Sequence, residues 1–511
     1  MNLLKSLART SSMTMLSRVL GLGREVMNSH VFGANAAMDA FVVAFRLPNM
    51  FRRIFAEGAF SQAFVPLLAE YKTQQGEEKA RQFISDVSGF LTIVLLFFTI
   101  AGVVAAPWVV YLFASGFENT PGKMDLAVSL TRITFPYILL ISLSSMAGSI
   151  LNTWNRFAIP AFTPALLNIS MILCGYFGAP YFEEPIYALA ISVALGGILQ
   201  LGFQLPYLAQ IKMLTLPSLH WHDSGVRRVI FLMLPAIFGV SVQQISLLLN
   251  TLFASWLPDG SLSWMNYADR LMELPAGVLG VALGTILLPS LSKLRSAENH
   301  QGYSAMLDWG LRLCLLLALP ATVALAIMAE PIVATLFMSG KFLSFDVVMT
   351  ARSLVAYSVG LNAIIVIKIL APAYYARQDV VTPVKIGVIT LIITQLLNII
   401  LIGPLAHAGL ALALSIGACV NAALLFSGLY RTGIYQPSVG WLIFLAKLAV
   451  AVCVMAGVLW LSCHYMGNFL LMNKLESIAK LSLMVTLGGA VYFIALLLMG
   501  FRLQDFSRQT V

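Results

Sequence analysis

VSGFLTIVLLFFTIAGVVAAPWVVYLFASGF, residues 87–117, contains no Asp, Glu, Lys or Arg. A hydrocarbon core ~30 Å thick is crossed by about 20 apolar residues in a helix, and lipid leaves the backbone few other ways to satisfy its N–H and C=O groups. The stretch therefore reads as a transmembrane helix, and the chain around it repeats the pattern. Further charge-poor runs occupy residues 133–155, 157–182, 185–211, 229–258, 274–292, 313–329, 345–371, 441–463 and 481–501. The run 386–430 is too long for one crossing and breaks into two at Gly403-Pro404. Two charge-bearing segments, 6–32 and 35–68, bring the expected total to fourteen spans. The fold class is all-α and polytopic.

Composition agrees. Of 511 residues 59% are hydrophobic and 10% charged, against about 25% charged in a soluble domain, which excludes a soluble enzyme. Cys174, Cys314, Cys419, Cys453 and Cys463 are scattered through apolar stretches without CxxC or Cys/His spacing, so they read as small buried hydrophobes. Arg18 and Arg24 interrupt the first apolar segment, so it is expected to remain as a span and not to be cleaved as a signal peptide.

The formal charge of +9 comes from 31 Lys+Arg against 22 Asp+Glu. Basic residues crowd the loops on the side of the termini, Lys72, Lys79, Arg81, Arg227, Arg228 and Arg377 among them. The opposite loops carry Lys123, Lys341, Lys474 and Lys480. This asymmetry predicts that both termini are cytoplasmic, and it accounts for basic residues that would otherwise suggest a nucleic-acid partner.

An offset of about 223 residues aligns the chain with itself. Val65-Pro66-Leu67-Leu68 falls on Leu288-Pro289-Ser290-Leu291, Pro160 on Pro383, and Ala188-Leu189-Ala190 on Ala411-Leu412-Ala413. One residue further on, Pro107 falls on Pro331 and Ser115-Gly116 on Ser339-Gly340. Six helices repeat as six, in the same orientation, which predicts two parallel lobes around a central cavity. The expected divisions are 1–223, 224–433, and a pair of extra helices in 434–511.

The first two spans are the least apolar. An ionised side chain at bilayer depth costs ~2.5–3.5 kcal/mol even on lenient scales, so it is expected to face protein or a watery cavity. Ser17, Gly21, Arg24 and Asn28 form one helical stripe, flanked by Arg18 and Glu25, and this stripe reads as a chamber wall. The second span adds Asp39, Arg46, Asn49, Arg52, Arg53 and Glu57, and the eighth adds Asp269, Arg270 and Glu273. In the seventh, Gln243, Ser246 and Asn250 are polar without charge. Arginine's planar fork suits bidentate binding of phosphate or pyrophosphate, which favours an anionic substrate over a cationic drug. The alternative is that Arg18, Arg24, Arg52 and Arg270 form structural ion pairs with Glu25, Asp39, Glu57 or Glu273. Asp308 and Arg312, near the end of their span, read as solvated at the interface. His220 and His222 read as surface residues of a polar loop.

The stretches SRVLGLGRE (17–25), RLPNMFRRIFAEGAFSQAFVPLLAEY (46–71) and YADRLMELPAGVLGVALGTILLPSLSK (267–293) closely resemble the MurJ/MviN family of the MOP transporter superfamily. The resemblance covers essentially the whole chain. It implies a flippase, not an enzyme, that exports lipid II, the undecaprenyl-pyrophosphate-linked peptidoglycan precursor, across the bacterial inner membrane. By that resemblance Arg18, Arg24, Arg52 and Arg270 match essential cavity arginines and Asp39 an important cavity acid; from their place on the same two polar spans, Ser17, Asn49 and Arg53 are expected as further substrate contacts. It also implies that the last two helices hold the polyprenyl tail in a groove, where Lys447 either lines the groove or snorkels. Its implied partners are lipid II, membrane lipids and cell-wall synthesis proteins, with no nucleic acid.

Glu57 and Lys368 sit toward the cytoplasmic ends of spans from opposite halves and are expected to pair as a gate, with Glu25, Asp269 and Glu273 as further coupling residues. Some relatives bind sodium through acids in the seventh and eleventh spans, but 229–258 and 386–402 contain none. No cofactor or metal is therefore expected, and membrane potential is the expected driving force, at ~2.3 kcal/mol per elementary charge per 100 mV. The competing readings are another MOP-type transporter, for a different polyprenyl-linked glycan or a cationic drug, and a membrane enzyme acting on polyprenyl phosphates. The enzyme reading lacks any Asp-rich metal motif, HExxH, phosphate loop or nucleophile elbow.

Overall fold

The computed structural model describes residues 3–53, 60–220 and 224–501. Among them secondary structure is helical apart from one isolated bridge, Ser339–Phe342. The chain packs as two compact units, Met1–Ser263 and Trp264–Val511.

The first unit contains α1 (Leu3–Val31), α2 (Ala36–Phe51), α3 (Ser61–Glu70), α4 (Glu77–Val104), α5 (Ala106–Ala114), α6 (Lys123–Thr134), α7 (Tyr137–Thr153), α8 (Ala158–Leu173), α9 (Tyr187–Gln210) and α10 (Ser224–Ser255). The helix α11 (Ser261–Ser296) begins in its last residues. The second unit continues with α12 (His300–Ile327), α13 (Ala329–Phe337), α14 (Ser344–Tyr375), α15 (Val381–Arg431), α16 (Trp441–Tyr465) and α17 (Lys474–Leu498).

Among the described residues every expected span falls mainly on helix; of the second, 35–68, residues 54–59 lie outside them. Nine helical segments among the described residues are long and apolar enough to cross a membrane, and one of them, α15, holds two expected spans. Its 51 residues break at Ala406 (φ 49°, ψ −128°), two residues past Pro404, which has no N–H to donate and crowds the preceding turn. The two arms then approach so closely that a Cβ on Gly409 would stand 2.3 Å from the Leu401 carbonyl oxygen. The run 87–117 is also refined: α4 stops at Val104, and Pro107 opens a separate short helix, α5.

The internal duplication is visible in the helix boundaries. The helices α4 and α12 each have 28 residues, and Glu77 and His300 stand 223 positions apart; α5 and α13 each have 9, with Ala106 and Ala329 at the same separation. Packing follows a different division. The helix α10, which opens the second repeat in sequence, packs on α3, α4 and α5 and so belongs to the first compact unit.

Lipid-immersed helices gain little from burying apolar surface against each other, so close contact and interhelical hydrogen bonds carry the association. In the first unit Gln204 Nε2 donates to Ser144 Oγ (2.6 Å), Ser170 Oγ to the Ser192 carbonyl (2.8 Å) and Tyr137 OH to Gln200 Oε1 (3.1 Å). In the second, Ser415 Oγ donates to the Ala356 carbonyl (2.7 Å) and Tyr374 OH to that of Leu425 (2.8 Å). Large apolar side chains such as Phe97, Trp108 and Leu112 remain exposed, as a lipid-facing surface requires.

The segment joining the repeats is strapped onto α4. Ser218 N donates to the Ser85 carbonyl (3.0 Å), Ser85 Oγ to that of Leu216 (2.6 Å), and His220 Nδ1 lies 2.9 Å from the buried Asp86. Gly89 makes this possible, since a Cβ there would stand 1.9 Å from the Ser218 carbonyl oxygen. His220 is exposed, as expected of a surface residue in a polar loop, and it also contacts the buried Asp86; His222 lies outside the described residues.

Candidate functional site

The polar face of α1 forms a seam with α8. Arg24 Nη1 donates to Asn168 Oδ1 (3.0 Å) and its Nε to Glu25 Oε1 (3.1 Å), and Arg24 Nη2 also reaches that carboxylate oxygen. Asn28 Nδ2 donates to Glu25 Oε2 (3.3 Å), while Asn168 Nδ2 donates to the Ser17 carbonyl (3.1 Å). Arg24, Glu25 and Asn28 are buried, and Arg18 stands half-buried beside them. The stripe expected to wall a chamber therefore meets α8, and the Arg24–Glu25 pair is the ion pair weighed from sequence. Asn168 was not singled out there, since a lone amide within AFTPALLNISMIL carries no charge to attract notice.

Asp39, in the first turn of α2, pairs with a lysine and not with an arginine. Its two oxygens accept from Lys123 Nζ (3.0 Å), Gly260 N (2.8 Å), Ser263 N (2.9 Å) and Ser263 Oγ (2.7 Å). Lys123, expected in an exposed loop, is the buried first residue of α6; it also reaches Asp259 Oδ1 (2.6 Å) and lies 4.3 Å from the Phe117 ring centroid. A buried carboxylate needs such donors, and the amides at the start of α11 supply them with the favourable end of the helix dipole. Asp39 thus binds α2, α6 and the turn before α11 into one closed network.

Arg46 Nη1 donates to Thr251 Oγ1 on α10 (2.8 Å), and Arg52 Nε to Asn49 Oδ1 (3.2 Å), with Arg53 half-buried beside it. Glu57 lies outside the described residues, as does the Gln243 side chain. Where α3 ends and α10 begins, Arg228 grips Glu70 through two 3.0 Å bonds. That hydrogen bonding holds the Glu70 carboxyl below its ordinary range.

In the second unit Arg270 Nη1 bonds Glu273 Oε2 (2.6 Å), with the arginine side chain 33% exposed. Asp269 beside it is half-buried. Lys368 Nζ donates to the Ala276 carbonyl (3.1 Å), tying α14 to α11.

Lys447 lines a cavity of about 260 Å³ with Trp309, Arg312, Ile443, Phe444 and Phe501, its Nζ 5.7 Å from the Phe501 ring centroid. Asp308 anchors the wall: it accepts from Tyr435 OH (2.8 Å), Ser438 Oγ (2.6 Å) and Trp441 Nε1 (2.6 Å), and Arg312 Nε stands 3.0 Å away. The expectation of interfacial solvation for Asp308 and Arg312 is thus corrected. Asp308 is buried and fastens the approach to α16 onto α12. Among the described residues no group of three or more His, Cys, Asp or Glu is arranged to hold a metal.

The family model described as "Lipid II flippase MurJ" matches residues 28–480 of this chain. Over its whole length the chain is 48% identical to "Lipid II flippase MurJ" of Burkholderia cenocepacia, all of which is covered. It is 42% identical to "Probable lipid II flippase MurJ" of Vibrio cholerae, with 99% of this chain and 98% of the relative covered. Among solved structures, "Lipid II flippase MurJ, inward closed conformation" superposes with a TM-score of 0.82 at 27% identity, covering 98% of this chain and 99% of the other. An inward-facing multidrug resistance MATE transporter of the MOP superfamily shares the fold, with a TM-score of 0.69 at 14% identity, over 84% of this chain and 98% of the other.

Proposed function

Because the chain belongs to the lipid II flippase MurJ family, we propose that it carries its substrate by alternating access, with arginines as the pyrophosphate ligands. It is a multi-pass membrane transporter of the inner membrane, and its substrate is lipid II. The observation that carries the mechanism is the set of guanidiniums on or beside membrane-spanning helices: Arg18 and Arg24 on α1, Arg52 after α2, and Arg270 on α11. A pyrophosphate presents several acceptor oxygens, and guanidinium forks match them bidentately. Arg270 is partly exposed against Glu273, an arrangement that an incoming anion can displace. The asymmetry of basic residues supports both termini lying in the cytoplasm.

Acute depletion of the protein, in cells without a second lipid II flippase, is expected to leave labelled lipid II inaccessible to an externally added toxin that cleaves it. Undiminished external cleavage sinks the reading. A drug/cation antiporter would call for acids and aromatics where this chain places arginines.

Driving force is part of the proposal. After an anionic substrate leaves, the arginines that held it lose its counter-charge, and an inside-negative potential draws them back inward with ~2.3 kcal/mol per charge per 100 mV. In vesicles clamped at about 0 and about −120 mV, roughly physiological extremes, flipping is expected to be faster at the larger potential. Equal rates at both would remove the potential from the mechanism. Membrane lipids and cell-wall synthesis proteins complete the proposed set of partners.

A further inference from the structure

Away from these groups, the ends of several helices in the second unit enclose a cavity of about 160 Å³. Arg295 comes from the last turn of α11, Asn299 and His300 from the start of α12, Arg377 from just beyond α14, and Thr432 and Gly433 from just beyond α15. Two features make this more than a gap between loops. Its scaffold is fixed: Asn299 Oδ1 accepts from Gly302 N (2.8 Å), and Tyr303, which also lines the cavity, donates its hydroxyl to the Ala373 carbonyl of α14 (2.5 Å). Its cations are only partly engaged: neither Arg295 nor Arg377 forms a side-chain ion pair within 4.0 Å among the described residues, although the Arg377 charge acts on nearby Asp379.

Both guanidiniums lie within Coulombic reach of the Tyr303 hydroxyl, so their charges act on the same small space. Neither nearby acid lines the cavity: Asp379 accepts from Thr382 N (3.0 Å) and lies within Coulombic reach of Arg377, and Glu298 is exposed. The N-terminus of the 28-residue α12 adds the positive end of a helix dipole. A cavity of this volume, partly open to the surface, admits a phosphate group.

We propose that this cavity binds a phosphate group, held between Arg295 and Arg377 at the start of α12, which clamps the α11–α12 turn to the ends of α14 and α15. Two guanidinium forks, each presenting parallel N–H donors, match the oxygens of a phosphate better than the two of a carboxylate. The phosphate can come from the headgroup of an anionic phospholipid at the membrane interface or from a soluble phosphate. The site is separate from the transport arginines and does not depend on their role.

The full-length protein in phosphatidylcholine nanodiscs provides the test, with amide hydrogen exchange read over residues 294–303 and 376–379. One arm adds inorganic phosphate against chloride of matched ionic strength, and the other exchanges part of the lipid for phosphatidylglycerol. Protection of these segments in the first arm identifies a soluble source and in the second a lipid source. In either, the anion concentration or lipid fraction needed for half-protection is expected to rise about tenfold or more in Arg295→Gln/Arg377→Gln. Arg295→Lys/Arg377→Lys, which keeps the charge, should fall between. Absence of protection in both arms, or equal protection in the glutamine variant with wild-type exchange elsewhere, overturns the site.

Discussion

Arg24→Ala is expected to abolish external exposure of lipid II and to fail to complement loss of the protein. Two effects combine in that single change. The guanidinium that donates to Asn168 and Glu25 disappears, and the Glu25 carboxylate, 2% exposed, stays buried while losing its arginine. Breaking a buried pair from one side costs ~3–5 kcal/mol, so reduced folding alone could imitate lost transport. The double variant Arg24→Ala/Glu25→Gln separates the two, because the neutral amide no longer demands a cation. If Arg24 binds pyrophosphate, the double variant recovers membrane abundance and melting temperature while transport stays at least roughly tenfold down. Losing charged hydrogen bonds of ~1.5–3 kcal/mol corresponds to that factor. Recovery of transport together with stability would make Arg24 a strut between α1 and α8 and remove it from the substrate site.

The helices were legible because their determinants are local. Charge-free runs of sufficient length admit little besides helix in lipid, and a proline with glycine before it marks the break in α15 close to where the backbone turns at Ala406. The duplication was legible from collinear prolines and small residues, and α4/α12 and α5/α13 keep its spacing. Partners were not legible in the same way. Lys123 follows a proline-glycine pair in what reads as a loop, and nothing local says that Asp39, 84 residues earlier, is its counter-ion. Charge and depth correctly marked Arg24, Glu25 and Asp39 as unusual, but whether each faces a cavity or a neighbouring helix depends on helix rotation. A stripe of Ser17, Gly21 and Arg24 is compatible with both. Uncharged Asn168 on α8 supplies the neighbouring-helix partner, bonding both the Ser17 carbonyl and Arg24.

Lys123→Met is expected to destabilise the first unit by ~3–5 kcal/mol, the usual consequence of stranding one member of a buried ion pair. Asp39 would retain Gly260 N, Ser263 N and Ser263 Oγ, but these neutral donors must then support a full negative charge at 1% exposure. Asp259 would also lose its lysine, at smaller cost because its side chain is 39% exposed and water can replace the contact. Methionine approximates the lysine stem, so packing against Phe117 is largely kept and the change isolates the charge. The melting temperature in detergent should fall by several degrees. Asp39→Asn in the same chain should restore most of the loss, since the amide oxygen still accepts from Ser263 while no buried charge remains. Each single variant should therefore be less stable than the double, giving a coupling energy of the same sign as the native attraction. If Lys123→Met stays within ~0.5 kcal/mol of the parent, the size of an ordinary surface change, then Asp39 is held by the α11 amides alone. Lys123 would in that case be no more than a counter-ion for Asp259.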